Sequence, residues 1–130
     1  MGAGEDGGRA QEALRRATEH DRAGREAEAI PEYEEALRLG LDDASAAGAL
    51  LGLGSSLRNV GRADEAVAVL EGACDRYPDH AALRAFRALA LASAGRCAEG
   101  LGDTLLLLAD RVDLGGYERA LLLYAQELCG

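Results

Sequence analysis

The apolar residues of this chain recur every three or four positions over almost its whole length. Leu50, Leu53 and Leu57 follow this spacing in one stretch, and Val67 and Leu70 follow it in the next. Such spacing gathers apolar side chains on one face of an α-helix. No stretch alternates apolar and polar residues as a half-buried strand would. The pattern therefore predicts an all-α fold.

Regular breaks separate these periodic stretches. Gly24, Gly61 and Gly95 each follow one stretch, and an arginine comes directly after each of them. A glycine just past a helix end suits the left-handed C′ position, where a Cβ atom would cost energy. Aspartates near the other breaks are suited to N-caps, and these are Asp42, Asp79 and Asp113. The signals predict seven helices over about residues 8–23, 26–39, 43–59, 63–76, 80–94, 97–111 and 114–128.

The breaks return at a nearly constant distance. Gly61 and Gly95 are 34 residues apart, and Gly24 and Gly61 are 37 apart. The unit between them places small residues where two helices would cross and leucines on either side, which allows close packing. Its pattern is Leu50-x2-Leu53-Gly54-x2-Leu57, Gly61, Ala66-x3-Leu70-x2-Ala73 and Pro78.

A two-helix unit with this period and this order of small and large residues resembles the tetratricopeptide repeat. The outer units are looser, because Arg16, Arg87 and Thr104 stand where apolar or aromatic residues are typical. The resemblance covers about residues 10–128. It implies an antiparallel helix-pair superhelix, similar to the small bacterial single-domain members of the family.

The same resemblance implies a domain plan. We expect a flexible tail over residues 1–8 and a single domain over residues 9–130. The parts of that domain are repeats over about residues 10–42, 47–80 and 81–113, and a C-terminal capping helix over residues 114–129.

Charge and cysteine content narrow the function. The net charge is −9, and all 14 basic residues are arginine. Nucleic-acid binding needs clustered basic side chains, so it is not expected. Residues 1–43 carry a net charge of −6, whereas residues 81–130 carry a net charge of only −1.

The membrane and cysteine signals point to a cytoplasmic protein. No apolar run approaches the roughly 20 residues of a membrane span. The three cysteines lack CxxC spacing, which favours reduced thiols in the cytoplasm.

The candidate chemistry is sparse. His20 occupies an aromatic position of the repeat, which predicts a packing role, and His80 lies beside a helix start. Glu99 and Asp103 are one helical turn apart, as on any charged helix face. Cys97 also begins a helix, which can lower the pKa of a thiol, but no base lies near it in sequence. We expect a non-enzymatic chain with no catalytic residues, no cofactor and no metal.

The family resemblance implies binding instead. In tetratricopeptide repeats the first helices of the pairs line a concave groove that takes an extended peptide or a partner helix. By repeat position, the groove residues here are Thr18, Arg22, Leu51, Ser55, Arg58, Asn59, Leu89, Arg119 and Leu123. The Lys, Asn and Arg clamp of chaperone-binding members is absent, because the chain has no lysine and one asparagine. Arg22 and Arg58 are still suited to pair with an acidic peptide, while the identity of the protein or peptide partner stays open.

The C-terminal helices are richer in leucine than the end of a repeat array is expected to be. The leucines expected on their outer surfaces are Leu105, Leu106, Leu121, Leu122 and Leu128. Either a partner or a second copy covers them, or the last helix folds across the array and buries them. The first function hypothesis is therefore a scaffold that binds a protein or peptide in its groove. The alternative is an accessory unit that forms a homodimer or docks a partner through the C-terminal helices.

Overall fold

The computed structural model describes the backbone of residues 3–129 and the side chains of residues 4–127. Within residues 3–129 it contains seven helices and no strand, which confirms the predicted all-α fold. The helices are α1 (Ala3–Arg22), α2 (Glu26–Leu39), α3 (Asp43–Asn59), α4 (Ala63–Arg76), α5 (Ala81–Ser93), α6 (Cys97–Arg111) and α7 (Glu118–Cys129).

Consecutive helices pack in pairs, α1 with α2, α3 with α4, and α5 with α6. The second helix of each pair also contacts the first helix of the next, and α3 touches both α1 and α5. A hydrogen bond of 2.9 Å from Arg58 Nε to Ser93 Oγ joins the last turns of α3 and α5, so these two helices run parallel. The result is a layer of first helices, α1, α3 and α5, beside a layer of second helices, α2, α4 and α6.

The three glycine turns share one geometry. At Gly24, Gly61 and Gly95 the φ angle is +74°, +85° and +82°, the left-handed conformation that glycine adopts without strain. At each turn the amide of the following arginine donates to a carbonyl five residues earlier, at 2.8 to 2.9 Å. The guanidinium of the same arginine pairs with the glutamate three residues further on. These repeated contacts give the three turns the same local structure.

Two boundaries near helix starts differ from the prediction. α1 begins at Ala3, so the expected tail over residues 1–8 is helical from Ala3 onward. Glu5 and Asp6 in its first turn are favourable beside the positive end of the helix dipole, and this offsets the weak helix propensity of the neighbouring glycines. The N-cap of α5 is His80, whose Nδ1 accepts from the Leu83 amide at 3.2 Å, rather than Asp79.

The start of α7 differs as well. The predicted helix from residue 114 begins only at Glu118. Gly115 and Gly116 adopt φ values of +66° and +94°, which a helix cannot contain. Asp113 accepts from the Gly115 amide at 2.9 Å and Glu118 accepts from the Leu114 amide at 2.7 Å, so both carboxylates stabilise a turn. Asp113 is therefore not the N-cap of this helix.

The placement of α7 departs from the repeat pattern. α3 and α5 each pack against both helices of the preceding pair, whereas α7 packs against α6 and against none of α1 to α5 within residues 3–129. The connection before α7, residues 112–117, is longer than the corresponding connections 40–42 and 77–80. α7 therefore covers one flank of α6 and leaves the surface between α5 and α6 open.

Candidate binding surfaces

The outward side of α1, α3 and α5 forms one surface, which we call the first-helix face. Thr18, Leu51 and Ser55 on this face are half-buried, whereas Arg22 and Leu89 are exposed. The Thr18 hydroxyl donates to the Leu14 carbonyl at 2.9 Å, so it is engaged within its own helix. The structure thus brings the predicted groove residues of α1, α3 and α5 onto neighbouring helices.

Arg58 forms two side-chain hydrogen bonds on this face. Its Nε donates to Ser93 Oγ at 2.9 Å, and one terminal nitrogen donates to Asn59 Oδ1 at 3.2 Å. Both partners are neutral, and Arg58 itself is half-buried. Bonds from two sides restrict the guanidinium to one orientation at the junction of α3 and α5.

The first-helix face differs from the rest of the surface in whether its arginines form ion pairs with carboxylates. Eleven of the 14 arginines form ion pairs with carboxylates. Among the side chains of residues 4–127, three arginines have no such partner, and these are Arg22, Arg58 and Arg119. Two of the three lie on the first-helix face. Asp21, which occupies the repeat position of Arg58 in α1, is engaged by the Tyr33 hydroxyl at 2.7 Å.

A second surface lies between α5 and α6, and we call it the end groove. It is an open depression of about 430 Å³, and none of the described residues that line it is charged. Ala88 and Gly100 lie where the two helices meet, and a Cβ atom on Gly100 would stand 2.7 Å from the Ala88 carbonyl oxygen. The remaining lining residues are Ala85, Leu89, Ala92, Cys97, Leu101 and Thr104.

A model of the tetratrico peptide repeat family matches residues 10–128. The chain belongs to the tetratricopeptide repeat family. Members of this family generally act as non-catalytic modules that bind proteins or peptides. No curated protein matches the chain. The match spans all three predicted tetratricopeptide repeats and the last helix.

Comparing equivalent positions of the three tetratricopeptide repeats explains the end groove. Ile30 in the first repeat and Val67 in the second are each 4% exposed, because the next first helix covers them. Leu101, which lies 34 residues after Val67, is 54% exposed. Likewise Cys74 is 5% exposed, whereas Leu108, 34 residues later, is 42% exposed. The third repeat therefore lacks the covering helix that the first two possess.

The last helix does not extend the first-helix face of these tetratricopeptide repeats. Because α7 contacts α6 and not α5, the structure does not bring Arg119 and Leu123 beside Leu89. Both residues are exposed, on α7 itself. The sequence predicted this extension from repeat position alone, which assumes a helix in the regular place.

The leucines predicted as a dimer surface are only partly accessible. Leu105, Leu106 and Leu121 are half-buried, and Leu122 is 38% exposed. Leu128 lies outside the residues whose side chains are described. The most exposed leucines of α6 are instead Leu101 and Leu108, which were not among the predicted site residues. Their 34-residue distance from two core positions of the second repeat is the signal that would have found them.

The residues with catalytic potential are engaged in structural contacts. His20 Nδ1 accepts from Arg25 at 3.0 Å, and His80 caps α5. Glu99 pairs with Arg96 at 2.8 Å, and Asp103 pairs with an arginine of α5 at 3.1 Å. Within the described residues there is no cluster of three or more side chains suited to hold a metal ion, and no helix is long and apolar enough to cross a membrane.

Proposed function

We propose that this tetratricopeptide repeat protein binds an extended peptide along its first-helix face, with a carboxylate of the peptide on Arg58. Arg22 and Asn59 offer further donors beside it, and Leu51 and Leu89 offer apolar contact. The proposal refines the general role of the family, which is to bind proteins or peptides. The protein acts as a scaffold in this proposal, and the odd cysteine count without a disulfide framework supports a cytoplasmic setting.

The observation that carries the proposal is the environment of Arg58. This guanidinium is half-buried in a chain of net charge −9, yet it bonds only to the neutral Ser93 and Asn59 among the described residues. A partly desolvated charge gains from an opposite charge, and an arginine held in one orientation can form a two-point contact with a carboxylate. The net charge of the protein repels strongly acidic peptides at long range, so a peptide with one or two carboxylates among apolar residues fits best.

Peptide selection tests this proposal. We would pan a phage-displayed library of random peptides against the wild-type protein and measure the affinity of the enriched peptides. We expect Asp, Glu or a free C-terminus in the enriched set. We also expect Arg58→Glu to weaken binding by at least about 10- to 100-fold, since a charge-assisted hydrogen bond contributes about 1.5–3 kcal/mol.

Arg38→Glu is the matched control for charge. Arg38 is exposed on α2 and pairs with Glu35 of the same helix, so this variant changes the net charge equally without altering the first-helix face. Circular dichroism would establish that both variants fold. Enriched peptides without an acidic preference, or equal binding by wild type and Arg58→Glu, would exclude the proposal.

A second candidate function is docking through the C-terminal helices. Its support is the exposure of Leu101 and Leu108, at positions that are core in the preceding repeat. The two candidates predict different losses. Arg58→Glu removes peptide binding at the first-helix face, whereas Leu101→Asp removes association at the end groove and leaves peptide binding intact.

A further inference from the structure

The end groove has the shape of a site for one more helix. In the first two repeats the equivalent surface is filled by α3 and α5. The end groove continues this series of helix–helix interfaces by one step. Its exposed leucines, Leu89 and Leu101, have relative exposures of 45% and 54%, and covering such apolar surface is favourable.

The composition of the end groove selects the kind of occupant. Its floor is formed by Ala88 and Gly100, whose small size lets another helix approach closely. The absence of charge among its described lining residues means that an acidic or basic segment would gain nothing there. An α-helix with an apolar face is therefore the partner that fits.

The chain itself carries such a helix. α7 packs on one flank of α6 through its buried Ala125, and it leaves Leu122, Leu123 and Tyr124 exposed at 38%, 54% and 64%. We infer that α7 of a second copy occupies the end groove, so that two chains form a two-fold dimer. This inference rests on the second candidate function above, and of the residues named on the first-helix face only Leu89 also lines the end groove.

A two-fold dimer covers the end groove and the exposed residues of α7 on both chains at once. The α7 helix of each chain stays on its own α6 and places its exposed Leu122 and Leu123 in the end groove of the other chain. The same patch serves on both chains, so the assembly closes at two copies and leaves no free site for further growth. A closed dimer of this kind requires that each chain has one open groove and one helix available to fill the groove of the other chain.

The distribution of charge favours contact at this end. The net charge of residues 81–130 is −1, whereas that of residues 1–43 is −6. Two C-terminal ends therefore approach with little repulsion, while two N-terminal ends would repel each other.

Analytical ultracentrifugation over a concentration series of the full chain tests the inference. We expect the wild-type protein to sediment at twice the mass of one chain and to dissociate on dilution. Leu101→Asp alters the end groove and Leu123→Asp alters α7, and each should raise the dimer dissociation constant by at least about tenfold. Val60→Asp is the matched control, because Val60 is 39% exposed at the C-cap of α3, is not among the residues that line the end groove and is not part of α7, and it should leave the dimer unchanged.

Cys97 offers a second measurement, which reports on the end groove of the wild-type surface itself. This exposed thiol lines the end groove, whereas Cys74 is buried. In a Cys129→Ser background, we expect iodoacetamide to modify Cys97 at least about tenfold more slowly at concentrations where the dimer forms than after dilution to monomer. Leu101→Asp should remove this protection.

The possible results separate cleanly. A wild-type monomer at every concentration, with Cys97 always reactive, would overturn the inference. A monomer with Cys97 protected at every concentration would overturn it too, since α7 of the same chain would then fill the groove. A dimer that Leu101→Asp leaves intact would place the contact elsewhere. A monomer that captures a helical partner protein, and loses it with Leu101→Asp, would overturn the second copy as occupant while keeping the docking function.

Discussion

At the scale of single residues, Tyr33 connects helix packing with charge. Its ring is buried and lies so close to α3 that a Cβ atom on Gly52 would collide with it. Its hydroxyl donates to Asp21 Oδ2 at 2.7 Å. Burial raises the pKa of Tyr33, and the neighbouring carboxylate raises it further, because a phenolate there would be desolvated and repelled.

This environment predicts a loss of stability at high pH. The pKa of Tyr33 is higher in the folded chain than its unfolded value of about 10, so the folded state holds the proton more tightly. The resulting stabilisation is complete below about pH 10 and is lost as the pH rises through the folded-state pKa. We expect Tyr33→Phe to lower the free energy of unfolding by about 1 kcal/mol at pH 7 and to flatten the alkaline decline.

Urea unfolding between pH 7 and 11 would measure both effects. Tyr124→Phe is the control, because Tyr124 is exposed on α7. Both variants retain Cys74, so any titration of its thiol affects their stability equally. An alkaline decline of equal slope in wild type and Tyr33→Phe would contradict the assignment.

At the scale of helices, the contact between α3 and α4 depends on a missing side chain. A Cβ atom on Gly54 would stand 2.5 Å from Leu70 Cγ, and Leu70 is 1% exposed, so it has no room to move aside. Gly72 on α4 is different, because an added Cβ atom meets nothing within 4 Å. Both glycines are helical, so they differ in packing rather than in backbone conformation.

The two glycines should therefore respond to alanine in opposite directions. Gly72→Ala is expected to stabilise the protein by about 1 kcal/mol through helix propensity alone. Gly54→Ala gains the same propensity but overpacks the interface, and we expect a net destabilisation of about 1–3 kcal/mol. Thermal unfolding monitored by circular dichroism compares them directly. If Gly54→Ala proved as stabilising as Gly72→Ala, the close approach of α3 and α4 would be refuted.

At the scale of the whole molecule, packing is uneven along the array. The main core cluster draws its buried residues from α1 to α5, and none comes from α6 or α7. The buried positions described in α6 are Gly100 and Gly102, and α7 contributes Ala125. The C-terminal helices of one chain are therefore held by less apolar burial than the middle of the array.

Hydrogen exchange should follow this gradient. We expect amides of α3 and α4 to exchange slowest, near the rate set by global unfolding, and amides of α7 to exchange at least about tenfold faster. Mass spectrometry of exchanged peptides at low protein concentration would measure this. If the dimer forms as inferred, raising the concentration should slow exchange in α6 and α7 and leave α3 and α4 unchanged. Uniform protection from α1 to α7 in the dilute protein would disprove the gradient.

The helices themselves were predictable from the sequence. The bounds of α2, α3, α4 and α6 agree with those predicted from apolar spacing and glycine turns, because backbone hydrogen bonds four residues apart and the left-handed turn at Gly61 depend on local chain geometry. The 34-residue period likewise predicted the tetratricopeptide fold, since each repeat can bury its apolar faces only against its neighbours.

The tertiary structure decided what the surfaces of these helices do. Periodicity placed Arg58 on an outer face, but its bond to Ser93 joins residues 35 positions apart, and no local pattern encodes it. The same holds for α7, because the sequence showed its leucines but did not predict that it packs against α6 alone. Whether a helix packs against one helix or two depends on the competition between distant surfaces and on the path of its linker, here turned by Gly115 and Gly116. Helix formation is a short-range property of the chain, whereas the surface left uncovered is a property of the assembled array.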